Sequence, residues 1–247
     1  MSWKFGNPEI DEHHNNIIGM WKMDAASGDR EDFYGSRTLS EVSGVVASAA
    51  GKDNLAADFE LGDTEGLQNA SEITRNITQY SISCWVWFET LPGTDQVVVW
   101  DSTASIGRTR LWVAATAADE LRVGMRDTQA GAFIGASSVN TFNPTTWYHV
   151  LAVIDTVANN ISAWVNNVNW INSALAMGNF HDSAAASDWQ VGRAIDTGGN
   201  PYGYYDGLID ELYMWDTALD ANDATALYNG GAGIYYRNRP ANFFSNG

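Results

Sequence analysis

The residues with most chemical potential in this 247-residue chain are its 30 acids, so their spacing is weighed first. A retaining glycosidase needs two carboxylates about 5–5.5 Å apart, one as nucleophile and one as acid. Alternate strand positions achieve this, because residues two apart share a face. Asp58 and Glu60 have that spacing, with Leu61-Gly62-Asp63 following them. Asp206, Asp210 and Glu211 lie near one another, but the adjacent Asp210 and Glu211 are expected on opposite faces of a strand. There is no Gly-x-Ser-x-Gly elbow, no phosphate loop and no dinucleotide fingerprint. His13-His14 falls in a polar N-terminal arm, and His149 sits mid-strand as a structural histidine. Cys84, the single cysteine, lies on an apolar strand face and reads as an inert core thiol. No catalytic residue is assigned.

Aromatic side chains are the second lever, since the chain carries 11 Trp. Indoles offer apolar area together with an N–H donor, which suits sugar stacking or protein contact. Trp85 and Trp87 share a strand face, Trp112 shares one with Arg110, and Trp164 alternates with Ala163 and Val165. If Tyr80, Ile82 and Cys84 form the core, these indoles line an outer sheet surface. Trp85 is expected under a covering loop or arm drawn from residues 24–70 or 232–247. Trp87, Trp112, Trp164 and Arg110 are retained as ligand-binding residues.

The elements that position these residues are strands. Tyr80-Ser-Ile-Ser-Cys-Trp-Val-Trp-Phe88 alternates with period two. Further strands are expected over 96–100, 109–114, 120–126, 147–155, 160–165, 188–192 and 208–215, separated by turns rich in Gly, Asn, Asp and Pro. Many short strands and few helices predict an all-β antiparallel sandwich. One short C-terminal helix is marked by Asp220 as cap, Asp223 in its first turn, the apolar Ala224, Leu227 and Tyr228, and Gly230 as a left-handed stop. Residues 1–15 and the aromatic segment 232–247 flank the expected domain, 16–231.

Composition narrows the partners. The net charge of −17 repels phosphate backbones, so nucleic-acid binding through a basic groove is excluded. One cysteine excludes an intramolecular disulfide framework. No stretch approaches the roughly 18–20 apolar residues needed to span a bilayer, and no secretory signal is visible at the start. Synthesis in the cytoplasm is expected. The acidity keeps a displayed protein soluble by self-repulsion.

Three segments together resemble the laminin-G-like, concanavalin A-like lectin/glucanase family. They are Ile17-Ile-Gly-Met-Trp-Lys-Met-Asp24; Tyr80-Ser-Ile-Ser-Cys-Trp-Val86 with Thr146-Trp-Tyr-His-Val-Leu-Ala-Val-Ile-Asp155; and Tyr205-Asp-Gly-Leu-Ile-Asp-Glu-Leu-Tyr-Met-Trp215 with Ala226-Leu-Tyr-Asn-Gly230. The resemblance implies a jelly roll that binds glycans, proteins or lipids, often with calcium. Hydrolase relatives carry Glu-x-Asp-x-Glu or a one-residue variant on one strand, and neither occurs here. No cofactor is required, and calcium is the one ion implied, with Asp24 and Asp210 at the family's acidic positions on the first and last strands. Asp63 and Asp206 fall in loops expected nearby. The resulting expectation is a non-catalytic, lectin-like binding or assembly protein on an exterior surface. A bacteriophage virion (capsid decoration, tail or fibre) reconciles that with cytoplasmic synthesis. The partner would be a glycan or a neighbouring virion or surface protein, with homo-oligomerisation open. Alternatives are a secreted bacterial carbohydrate-binding protein and a divergent glycoside hydrolase.

Overall fold

The structure is a computed structural model that describes residues 7–69, 77–91, 93–103, 108–126, 133–178, 187–196 and 199–234. The side chains of residues 102, 103, 108–112, 187 and 188 lie outside that description. The expected sandwich is present as two antiparallel sheets. The larger contains β1 (Ile17–Trp21), β3 (Ala47–Ala50), β4 (Leu55–Phe59), β6 (Gln79–Phe88), β11 (Trp147–Asp155), β12 (Asn160–Val165), β13 (Val168–Ala174) and β17 (Gly207–Trp215). Its order is β13-β12-β11-β6-β17-β4-β3, with β1 also on β17. The smaller contains β2 (Ser40–Val42), β5 (Gly66–Asn69), β7 (Gln96–Thr103), β8 (Arg108–Ala115), β9 (Glu120–Met125), β10 (Ile134–Thr141) and β14 (Ser187–Val191), in the order β10-β9-β8-β7-β14-β5-β2. A two-stranded ribbon, β15 (Ala194–Ile195) and β16 (Pro201–Tyr202), stands beside them.

Alternation produces the main core as anticipated. Tyr80, Ile82, Cys84, Val86 and Phe88 of β6 point between the sheets and meet Val99, Val113, Val123 and Trp189 from the smaller one. Two of the longer strands were not foreseen. β13 follows β12 through Asn166-Asn167, both with positive φ (50° and 64°), the conformation of a two-residue hairpin turn. β10 is a largely exposed edge strand of Gly, Ala, Ser and Asn, whose weak apolar signal hides it.

A second core lies on the outer face of the larger sheet. Leu151, Val153, Tyr213 and Trp215 point outward there and are covered by Ile10 of α1 (Pro8–Glu12), Leu219 just before α2 (Ala221–Tyr228), and Ala224 and Leu227 of α2. The N-terminal segment is therefore docked, with Ile10 fully buried. Asp220 and Asp223 close a reciprocal capping box at the start of α2. Its left-handed stop is Asn229 (φ 46°) rather than Gly230, which follows in the same conformation. Asn can carry this role because its short polar side chain tolerates the left-handed region. Residues 235–247 fall outside the described residues.

Candidate functional site

The four residues expected to bind ligand do not share a surface. Trp87 and Trp164 belong to the larger sheet, and Arg110 and Trp112 to β8 of the smaller one. Trp164 is half-buried and packs onto the α1–α2 core. Trp85 is 3 % exposed, tilted against His149 and Tyr228, with the Lys52 ammonium 4.4 Å over its ring. Trp87 is half-buried and opposes Trp147 across the β6–β11 register. On β8 the register with β7 slips at Arg110, which interrupts the simple alternation with Trp112; both side chains lie outside the described residues.

One rung of register partners crosses the smaller sheet: Ser40, Gln68, Gln190, Trp100, Trp112, Gly124 and Gly135. Phe133 closes one end of it. A Cβ at Gly124 would come 2.2 Å from the Phe133 ring, and one at Gly135 2.5 Å, so these glycines admit the ring onto the sheet. Arg122 lies 5.3 Å from the same ring. At the other side Trp100 is met edge-on by Tyr202 of the β16 strand, centroids 5.7 Å apart.

Tyr202 and Tyr204 open onto a groove lined also by Leu61, Gly93, Thr94, Asp95, Ala117, Pro201 and Gly203. Tyr202 is 37 % exposed. Burial of the rest, with Asp95 and Asp196 nearby, raises its hydroxyl pKa to about 12, and Arg126 acts in the opposite sense. The groove wall is set by the Val97 N–H donating to the Gly203 carbonyl (2.8 Å) and by the Ala117 N–H donating to Asp95 (3.0 Å). An aromatic ring braced on another ring, in a groove that also holds a carboxylate, can stack on a sugar and bond its hydroxyls. Tyr202 and Tyr204 were missed at the sequence level, although Gly198-Gly-Asn-Pro-Tyr202 combines turn and aromatic signals.

A separate acidic site gathers at the seam of the larger sheet. Along β17, Ile209, Leu212 and Met214 enter the main core while Tyr213 and Trp215 enter the second core. Two residues, Asp210 and Glu211, thus stand where strict alternation allows one, and the register shifts there. Glu211 takes a left-handed backbone (φ 48°), the mark of a bulge. The expectation that the adjacent acids face opposite ways is corrected by this bulge. Asp210 accepts the N–H groups of Lys52 (2.7 Å), Asp53 (3.1 Å) and Glu211 (2.8 Å). Asp24 accepts the Leu55 N–H at 3.3 Å. Burial first, then Asp24, lifts the Asp210 pKa to about 7 against the lowering effect of its three N–H donors. Glu211 is raised well above the ordinary carboxylate range by burial and by Asp210. Both of its buried oxygens lack a protein partner. Glu211 is thus a buried, unpartnered carboxylate in the field of Asp210, Asp24 and Asp53.

Asp63 and Asp206, expected near this pair, interact instead with Glu60 and its neighbours. Asp206 accepts from the Thr90 hydroxyl and the Leu61 N–H, and its oxygens lie within 4.8 Å of those of Glu60 and Glu89. Burial and the neighbouring acids raise Asp58 and Glu60. His149 is buried, its Nε2 2.8 Å from the Ser83 hydroxyl, and burial lowers its pKa to about 3. Burial pushes the Cys84 thiol up to about 12. His13 contacts Glu12 and Asp223 at 3.4 and 3.3 Å.

Residues 61–225 match the concanavalin A-like lectin/glucanases superfamily, well over half of the chain, and the chain belongs to it. No curated protein matches by sequence. Among solved structures it is similar to domain 4 of AbnA, a GH43 extracellular arabinanase from Geobacillus stearothermophilus, in complex with arabinotriose (TM-score 0.65, 17 % identity, 85 % of this chain and 97 % of that one). It is also similar to botulinum neurotoxin type C, whose cell entry depends on interaction with two ganglioside molecules (TM-score 0.64, 12 % identity, 89 % and 52 %). A third is the Trypanosoma rangeli sialidase (TM-score 0.60, 12 % identity, 89 % and 34 %). The chain spans about half of the toxin structure and a third of the sialidase. At these identities the likeness is one of fold, and function has to come from the site.

Proposed function

We propose that this chain is a non-catalytic glycan-binding domain whose site is the tyrosine groove beside the smaller sheet. The observation that carries this is Tyr202, exposed toward the groove, braced on Trp100, and sharing the groove lining with Asp95. Tyr204 supplies a second ring on the same wall. The neighbouring family structure solved with arabinotriose supports a sugar as ligand. Trp112 is the register partner of Trp100 on the neighbouring strand. The domain is displayed on an exterior surface, and we place it on a bacteriophage particle, where a neighbouring virion protein or a second copy would be the protein partner. A single buried thiol suits folding in a reducing cytoplasm before release. We assign calcium to Asp24 and Asp210, where it would neutralise buried negative charge and hold the strands together.

The test is a glycan array with wild-type and Tyr202→Ala protein. Binding that falls at least tenfold in the variant, at unchanged melting temperature, supports the reading. Equal binding by both removes the groove from it. A second reading, glycoside hydrolysis, is favoured by one observation, the convergence of Glu60, Glu89 and Asp206 within 4.8 Å. Asp206 is already engaged by Thr90 and Leu61, which suits a structural role. Reducing-sugar release that is lost in Glu89→Gln would revive the enzyme.

A further inference from the structure

We propose that His13, Asp223 and Glu12 form a zinc site that fastens α1 to α2 over the second core. The site is separate from the tyrosine groove and from the calcium assigned to Asp24 and Asp210, and it takes up one member of the His13-His14 pair.

Packing of the two helices builds the site. His13 follows Ile10 by three residues, so both sit on one side of the short helix that ends there. Ile10 is fully buried in the second core, and the His13 side chain is mostly covered. The backbone at His13 is fixed from both sides: its N–H donates to the Ile10 carbonyl (3.1 Å), and its carbonyl accepts the Asn16 N–H (3.0 Å). On α2, Asp223 is buried on the face that carries Ala226 and Leu227, three and four residues on. Its Oδ2 accepts the Asp220 N–H at 2.7 Å in the capping box, which orients the carboxylate and leaves Oδ1 for His13. The faces that seal the core thus bring an imidazole up to a carboxylate, and Glu12, exposed at the rim, completes the group.

The distances suit a metal. His13 Nε2 is 3.3 Å from Asp223 Oδ1 and 3.4 Å from Glu12 Oε1. A charge-assisted N–H···O bond closes to about 2.7–2.9 Å, so the imidazole stands off both acids. Zinc bonds of about 2.0–2.2 Å in tetrahedral geometry place neighbouring ligand atoms about 3.3–3.6 Å apart. All three ligand atoms here lie within 4.8 Å of one another, and Glu12 is exposed enough to close the remaining gap. One imidazole and two carboxylates meet zinc's preference for nitrogen and oxygen ligands, whereas calcium and magnesium take oxygen. The rim position of Glu12 leaves the fourth place to water. The ion's structural task follows from where it sits. α1 places one residue, Ile10, in the second core, so a metal at His13 would hold down a helix that a single apolar side chain anchors.

The experiment uses the full chain after chelator treatment, titrated with zinc by calorimetry and with cobalt by visible absorption. Wild-type protein is expected to bind one zinc per chain and to give the strong visible bands of tetrahedral cobalt. It should also melt higher with zinc, in excess calcium as well as without it. Amide exchange over residues 9–13 should slow when zinc is added. His13→Gln is expected to weaken zinc at least tenfold and to lose the bands, the thermal shift and the slowed exchange. Glu12→Gln, an exposed change, serves if that variant does not fold; it should weaken zinc while melting like the wild type in chelator. His14→Gln removes a ring that meets Tyr34 edge-on, centroids 5.6 Å apart, and should bind zinc as the wild type does. Equal zinc affinity in His13→Gln, Glu12→Gln and the wild type would overturn the proposal, leaving only unspecific binding by an acidic surface. Loss in His14→Gln with retention in His13→Gln would overturn it too. So would a wild type with no cobalt bands and no zinc-dependent shift, in which His13 and Asp223 are an ion pair between the helices and nothing more.

Discussion

The outer faces of the two sheets start from similar strand chemistry and end differently. On the larger sheet, β11 is apolar on both sides, and Leu151, Val153, Tyr213 and Trp215 are sealed under α1 and α2. On the smaller sheet the outward cluster is small, Val97, Trp100, Ala114 and Ala194 with Phe133 against it, and Tyr202 at its margin reaches a groove. An aromatic residue on a sheet surface is thus not a binding residue by type. What decides is whether the face has been covered, and coverage here comes from chain ends rather than from neighbouring strands. The larger face is sealed, and the smaller one leaves Tyr202 open to a groove.

Substitutions can break this contrast. Trp215→Ala should cost about 3–5 kcal/mol in a urea melt, because a fully buried indole leaves a cavity under α2. Its glycan binding at a temperature where it remains folded should match the wild type. A smaller effect is set by pH. His149 stays neutral in the fold down to about pH 3, whereas an unfolded histidine takes up a proton near 6.5. Its contribution is therefore complete above about pH 6.5 and declines as pH falls toward 3. Melts of wild type and His149→Gln across that range should converge as the pH drops; parallel curves would detach the residue from acid unfolding.

Gly124→Ala tests the other face. The added Cβ meets Phe133 at 2.2 Å, so the ring must shift, at roughly 1–3 kcal/mol. Crystallography or aromatic chemical shifts should show Phe133 displaced while the main core is unchanged. The smallest expected change is Trp164→Ala, a half-buried residue at the rim of the second core: about 1 kcal/mol of stability and no change in glycan affinity.

The strands were legible because their alternation is a local property. Residues 80–88, 147–155 and 160–165 each declare a buried face, and the structure uses those faces. The continuous apolar run Val150–Ile154 is buried on both sides, with Leu151 and Val153 covered in the second core. The bulge at Glu211 was not legible. Period-two reasoning assigns adjacent acids to opposite faces, and only the competing partners β4 and β1 reveal that the phase slips there. The tyrosine groove was hidden for a related reason. Tyr202 becomes a site residue through Trp100, a contact that joins chain segments about a hundred residues apart. Asp24 and Asp210 are expectations from position in a family pattern, whereas the bulge at Glu211 needs coordinates.

The most direct measurement compares two variants against one glycan selected on an array, by isothermal titration calorimetry. Tyr202→Ala should lose at least tenfold in affinity while Trp164→Ala keeps the wild-type value. Loss in Trp164→Ala with full binding by Tyr202→Ala would contradict the account, placing recognition on the sheet that the structure shows covered.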